Sequence, residues 1–193
     1  MTGFHLWIAI VIVALILAGI FLYNRRTRRA MLATRNETDK AWTNLDLLLK
    51  QRNDELPKLT GICRGYLPQD HPIFQGLMAA RAACLKPAGV AEKARANSAL
   101  EDAVKNLFEA TRGSSDLQVN SSFTQLRKRL AEIGKGIEDQ KKLFNEQAAR
   151  YNRLLAHHTF MRRRLKLQPK DTFVDSREAV RPVQLSSADQ RKT

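Results

Sequence analysis

Hydrophobic and polar positions divide this 193-residue chain into two unequal parts. From Phe4 to Tyr23 the chain is apolar apart from His5, and Arg25, Arg26, Arg28 and Arg29 follow at once. About 20 apolar residues in a helix cross the roughly 30 Å hydrocarbon core of a bilayer. The run therefore predicts a transmembrane anchor over residues 1–24. A cleaved signal would need a basic start, a shorter apolar centre and a small-x-small site. Met1, Thr2 and Gly3 carry no side-chain charge, and Phe21-Leu22-Tyr23 close the run. A buried core helix is the other reading, but few soluble helices lack a polar face over five turns. Arginines beside a span stay on the cytoplasmic side, so the expected topology is single-pass, N-terminus outside and bulk cytoplasmic. Trp7 and Tyr23 stand near the two ends, where amphipathic rings prefer the headgroup level.

Beyond the anchor the pattern turns helical. From Asn120 to Leu167 there is no proline. Phe123, Leu126, Leu130, Ile133, Ile137, Gln140, Phe144, Gln147, Tyr151, Leu154 and His158 follow a three-four alternation. That spacing predicts one long helix with a narrow, coiled-coil-like seam that must pack on other helices. Trp42, Leu45, Leu49, Leu56, Leu59, Ile62 and Tyr66 repeat the spacing upstream, in a segment continuous with the anchor. Pro57 interrupts it and predicts a kink or a helix end near Leu56. A turn at 68–72, a helix at 73–85, another at 91–110 and a stop at Gly113-Ser114-Ser115 complete the series, with Asp116 or Ser121 as caps for the last helix. No strand pattern appears. The expected fold is all-α: a transmembrane helix, then a long antiparallel four-helix bundle over residues 25–167. The stretch 168–193, rich in Pro, Ser and charge, is expected to be a flexible tail.

Charge adds a partner. The formal net charge is +14, and for an anchored protein the nearest acidic surface is anionic lipid, with nucleic acid second. If the last helix returns towards the membrane, Arg162, Arg163, Arg164 and Lys166 join Arg25, Arg26, Arg28 and Arg29 at the headgroups. The same cations also suit a helix C-terminus through its dipole. Base-stacking aromatics are not interleaved with the basic residues, which weighs against nucleic acid.

Candidate chemistry changes the picture little. Cys63 and Cys84 form no CxxC and read as reduced packing residues. Gly134-Lys135-Gly136 lies inside the long helix and matches no phosphate loop. His157 and His158 are adjacent, so on a helix they diverge by about 100° and cannot share a metal. No catalytic, cofactor or metal site is expected.

The stretch Arg35 to Tyr66 resembles the opening helix of the LemA family. The matching features are Arg35-Asn36, Ala41-Trp42, Asp46 with Leu48 and Lys50, Leu56-Pro57 with Leu59, and Gly65-Tyr66. Ala79-Ala80-Arg81-Ala82, then Asn120 with Phe123 and Leu126, then Arg150-Tyr151-Asn152 continue it, and Phe173 and Arg181-Pro182-Val183 are similar to its terminal stretch. The chain departs from the family pattern at Gly113–Leu117, where an acidic Tyr-Pro is usual, and at His157-His158. The resemblance implies a helical bundle that extends a membrane helix in the bacterial inner membrane, with Pro57 tolerated inside its helix. It implies Trp42 and Tyr151 as seam packers, and Asn36 and Asn152 as polar contacts that fix register. Its implied role is that of an accessory to envelope proteases or a membrane organiser. The functional expectation is a non-enzymatic, membrane-anchored scaffold that recruits or regulates another membrane protein. The alternative is a membrane-tethered nucleic-acid binder using the basic surface.

Overall fold

In the computed structural model, which describes residues 2–68 and 70–174 with the side chains of 2–6 and 8–10 excepted, every regular element is a helix. α1 spans Thr2–Cys63, α2 Pro72–Leu85, α3 Val90–Ala110, α4 Ser115–Val119, α5 Ser121–His157 and α6 Thr159–Arg164. No strand is present among the described residues. The chain forms two units: one is the stretch to Ala41 with Glu146–Lys170, the other Trp42–Asn145 with the residues from Asp171.

Four long helices and the one-turn α4 share the core of the second unit. Leu56, Leu59 and Cys63 of α1 meet Phe74 and Leu77 of α2, Leu100 and Leu107 of α3, Leu117 of α4, and Phe123, Leu126 and Leu130 of α5. α1 runs through Pro57 without ending. The proline has no N–H, so the carbonyl of Asn53, four residues earlier, loses its helical donor. Arg81 of α2 supplies the replacement, its Nε donating to Asn53 O at 3.0 Å. The neighbouring helix thus satisfies the carbonyl that the proline leaves free, and α1 continues.

The helix starts are set by local hydrogen bonds. Pro72 opens α2, and His71 caps it, its Nδ1 accepting from Ile73 N at 3.3 Å. α5 is capped by Asn120, whose extended backbone lets Oδ1 accept from Phe123 N at 3.0 Å. This corrects the expectation of Asp116 or Ser121: Asp116 belongs to α4, and Ser121 is already helical. Asn120 Nδ2 also donates to the Tyr66 hydroxyl at 3.1 Å.

The α5 seam departs from a strict heptad. After Ile137 the buried positions are Lys141, Phe144, Ala148, Tyr151 and Leu155, where the alternation names Gln140, Gln147, Leu154 and His158. Two four-residue steps in succession, 133 to 137 to 141, account for the change. A straight helix drifts about 20° per heptad against a 3.5-residue repeat, so its buried stripe moves on by a residue. The helix also stops short of Leu167. His158 leaves helical geometry (φ −120°, ψ 58°), and α6 begins after it. Two adjacent histidines, both modest helix formers, mark the break.

In the first unit Met31, Tyr151, Leu155, Met161 and Leu167 form a small core. Thr34 and Thr38 face inward on α1, and their hydroxyls donate back to the carbonyls of Ala30 (3.0 Å) and Thr34 (2.9 Å), so neither is orphaned. α6 ends in a Schellman turn. Lys166 takes a left-handed φ of 49°, while Leu167 N donates to Arg162 O (3.1 Å) and Lys166 N to Arg163 O (3.2 Å). The chain beyond Gln168, expected to be loose, is then gripped at Lys170: Asn152 Nδ2 donates to its carbonyl at 2.8 Å and Asn152 Oδ1 accepts from its N–H at 2.9 Å. In the second unit Asn145 holds Phe173 by the same pair of bonds, at 3.0 and 2.7 Å. The buried Phe173 ring lies 6.3 Å from Trp42, which also packs on Phe144 at 5.3 Å. Residues 175–193, including Arg181-Pro182-Val183, lie outside the described residues.

Of the apolar run, α1 shows thirteen consecutive described side chains, at positions 11–23. Among the described residues no helix is long and apolar enough to cross a membrane. The side chains of residues 1–6 and 8–10, the earlier part of the run, lie outside the described set.

Candidate membrane-facing basic grooves

The large apolar side chains between Val11 and Tyr23 are 50–67% exposed on α1. Among the described residues they stay this exposed on all sides of the helix, although Phe21 borders Met161 and Tyr23 borders His158, and the helix has no polar stripe there. The arginines begin one residue after Asn24. Arg25 and Arg28, three apart, fall on one helix face. They line a groove of about 320 Å³ together with Phe21, Asn24, Met161, Arg164 and Leu165. No carboxylate is among its lining residues. Arg164 of α6 therefore meets Arg25 and Arg28, as the sequence pattern anticipates for the two basic clusters.

Arg162, Arg163 and Lys166 belong to a separate groove of about 530 Å³, with Thr159, Leu167 and Gln168. The left-handed turn at Lys166 ends the helix and lets these cations surround an open concavity. Arg26 and Arg29 are exposed and line neither groove. Lys170, four residues beyond Lys166, lines neither groove: its Nζ is paired with Asp39 at 2.8 Å. Beside the cations Phe160 is 70% exposed on α6, and the Tyr23 ring packs edge-on against His158 at 6.4 Å.

The family-motif residues are placed as structure. Trp42 stacks in the second unit, Tyr151 is buried in the first, and Asn152 holds the returning chain. Pro57 is matched by Arg81, and Tyr66, itself partly exposed, is tied to Asn120. Arg35 makes a long i,i+4 contact with Asp39, at 3.8 Å, and Asn36 is exposed on α1.

A polar cluster in the second unit escaped the sequence reading. Arg52 occupies the seam slot between Leu49 and Leu56 and is buried, donating to Asn97 Oδ1 of α3. A charged residue at an apolar heptad position is the signal that could have found it. Arg52, Asn53, Asp46, Lys93 and Cys84 line a cavity of about 240 Å³. Burial works to raise the Asp46 carboxyl, but hydrogen bonds from Lys50 and Lys93, and their charges, hold it below its ordinary value. Lys93 also lies 5.5 Å over the Trp42 ring. Cys84 beside the cavity is pushed up by burial, partly opposed by Arg52, and Cys63 is pushed to about 11 by burial alone. Both thiols are free and stay protonated at neutral pH, so neither is poised as a nucleophile. Among the described residues no group of three or more His, Cys, Asp or Glu could hold a metal ion.

Comparison with protein-family models matches residues 41–186 to the LemA family. The chain belongs to the LemA family. The matched span covers most of the chain and includes Trp42, Pro57, Arg81, Asn120 and Asn152, the residues that tie its helices together. It takes in Arg162–Lys166 but begins after the apolar run and the arginines at 25–29, so membership speaks for the helical body and leaves the groove formed with Arg25 and Arg28 to be argued on its own geometry. A comparison with curated proteins finds no match.

Proposed function

We propose that the chain is a membrane-anchored, non-enzymatic helical scaffold that recruits or regulates another membrane protein. In this reading residues 1–24 insert in the bilayer with the N-terminus outside, and an antiparallel four-helix bundle works on the cytoplasmic side of a bacterial inner membrane. One observation carries it: a helical stretch whose apolar side chains are exposed all round, continued without a break by arginines. Exposed apolar surface of this extent on a soluble helix would drive aggregation, whereas lipid tails cover it at no polar cost. Lys and Arg near an anionic surface each contribute about 1 kcal/mol of attraction. The arginines at 25–29 and 162–164 with Lys166 supply that contact, and the exposed Phe160 suits the same interface.

The partner is taken to be a protein because the motif residues are spent on holding the helices in place, leaving the outer helix faces for docking. An envelope protease is the first candidate. Cross-linking in native membranes, followed by identification of the captured species, tests this; recovery of nucleic acid alone would favour a membrane-tethered nucleic-acid binder. The anchor has its own test. The full chain should stay in the membrane pellet after alkaline carbonate extraction, and T2C should react with an impermeant maleimide from outside. Extraction into the soluble fraction would overturn the anchor, and labelling only from inside would overturn the orientation.

A further inference from the structure

We infer that the groove between α1 and α6 binds the phosphate of one anionic phospholipid, with Arg25, Arg28 and Arg164 as its clamp. This deepens the membrane reading above and rests on it. Three guanidinium groups share the wall of a cavity of about 320 Å³ that has no acidic lining residue. Among the described residues none of the three is found in an ion pair, so like charges face one concavity with no protein carboxylate in its lining to offset their repulsion. A phosphodiester offsets it. Guanidinium forks match phosphate oxygens in bidentate geometry, which lysines do not.

The floor distinguishes a lipid from free phosphate. Phe21, Met161 and Leu165 lie beside the arginines in the same groove, and Phe21 continues directly into the exposed apolar positions of α1. A soluble anion has no use for that floor. A phospholipid does: its phosphate sits among the arginines while its glycerol and acyl chains pass over Phe21 and along the apolar helix. The other basic groove, with Arg162, Arg163 and Lys166, gives diffuse attraction to the headgroups; the Arg25–Arg28–Arg164 groove gives a site of fixed stoichiometry.

The test uses the full chain placed in nanodiscs of mixed phosphatidylcholine and phosphatidylglycerol, then released for native mass spectrometry. The wild-type chain should retain one phosphatidylglycerol. R164Q and the double variant R25Q/R28Q should each retain it about tenfold less, from the loss of charge-assisted hydrogen bonds. R153Q removes the same charge from an exposed position on α5 outside the groove and should retain the lipid as wild type does. Circular dichroism should show the same helix content in all variants. Equal retention by R164Q and R153Q, or retention of phosphatidylcholine in place of phosphatidylglycerol, overturns the site while leaving the anchor intact. Displacement of the lipid by millimolar glycerol phosphate would show that the apolar floor contributes nothing, and overturns the lipid assignment. Failure of the chain to enter the nanodiscs at all would overturn both readings together.

Discussion

At the scale of single residues, the interactions that matter most repair something a neighbour has broken. Pro57 removes a donor from α1, and Arg81 gives one back to Asn53 O. Arg81→Met should therefore destabilise the chain by about 1–3 kcal/mol, the cost of an unsatisfied buried acceptor. In a Pro57→Ala background the restored N–H reaches Asn53 O, and the same Arg81→Met change should cost much less. A double-mutant cycle by urea unfolding measures the coupling; additive effects would mean that Arg81 acts by packing alone. Asp46 makes a second case. Its carboxyl titrates lower in the folded chain than in the unfolded one, so the folded state binds fewer protons. Its contribution is present above the ordinary carboxyl range and is lost as the pH falls through it. The stability advantage of wild type over Asp46→Asn should shrink between about pH 5 and pH 2, as followed by urea midpoints.

At the scale of elements, what was legible and what was not follow from what each signal encodes. Proline and glycine punctuation placed α2 and α3 to within a residue, because Pro72 and Pro87 fix backbone torsions while Gly89 and Gly113 are poor helix formers. The heptad placed the first half of the α5 seam, then slipped where 3.6 and 3.5 residues per turn part company. α4 was invisible because five residues carry no period. The meeting of Arg25 and Arg28 with Arg164 was readable from the basic clusters, but the split of Arg164 from Arg162 and Arg163, its neighbours on α6, follows from the turn of the helix by about 100° per residue and from the left-handed end at Lys166. Asn145 was passed over because its partner is backbone, and a carbonyl and an N–H look alike at every position. The interior of α5 also carries an avoidable cost. A Cβ at Gly134 would meet nothing within 4 Å, whereas one at Gly136 would meet Leu48 Cδ1 at 3.4 Å. Gly134→Ala should stabilise the chain by about 0.4–1 kcal/mol. Gly136→Ala should gain less. Denaturant midpoints of the two variants decide the order.

At the scale of the whole molecule, charge is the dominant quantity. Thirty-three basic residues against nineteen acidic ones leave +14, and Arg162–Arg164 lie at grooves free of carboxylates. Replacing these three by glutamate, in a version of the chain that starts at Asn24, should leave helix content unchanged and weaken binding to anionic vesicles. The difference should fade as salt rises, since the attraction acts within a Debye length of about 8 Å at physiological ionic strength. Equal binding at low salt would mean that the cluster serves only to end a helix. The asparagine pairs carry a different consequence. Asn145 and Asn152 grip Phe173 and Lys170 through main-chain atoms alone, and any residue but proline offers the same two groups. Over evolutionary time the wording of the returning segment is thus free to drift at position 170, and at 171 and 172, while the two asparagines cannot follow. Even conversion to aspartate, the ordinary chemical ageing of asparagine, would turn each donor towards its carbonyl into a repelling oxygen. A lineage could rewrite this stretch many times over and keep its place on the helix, provided two amides never aged into acids.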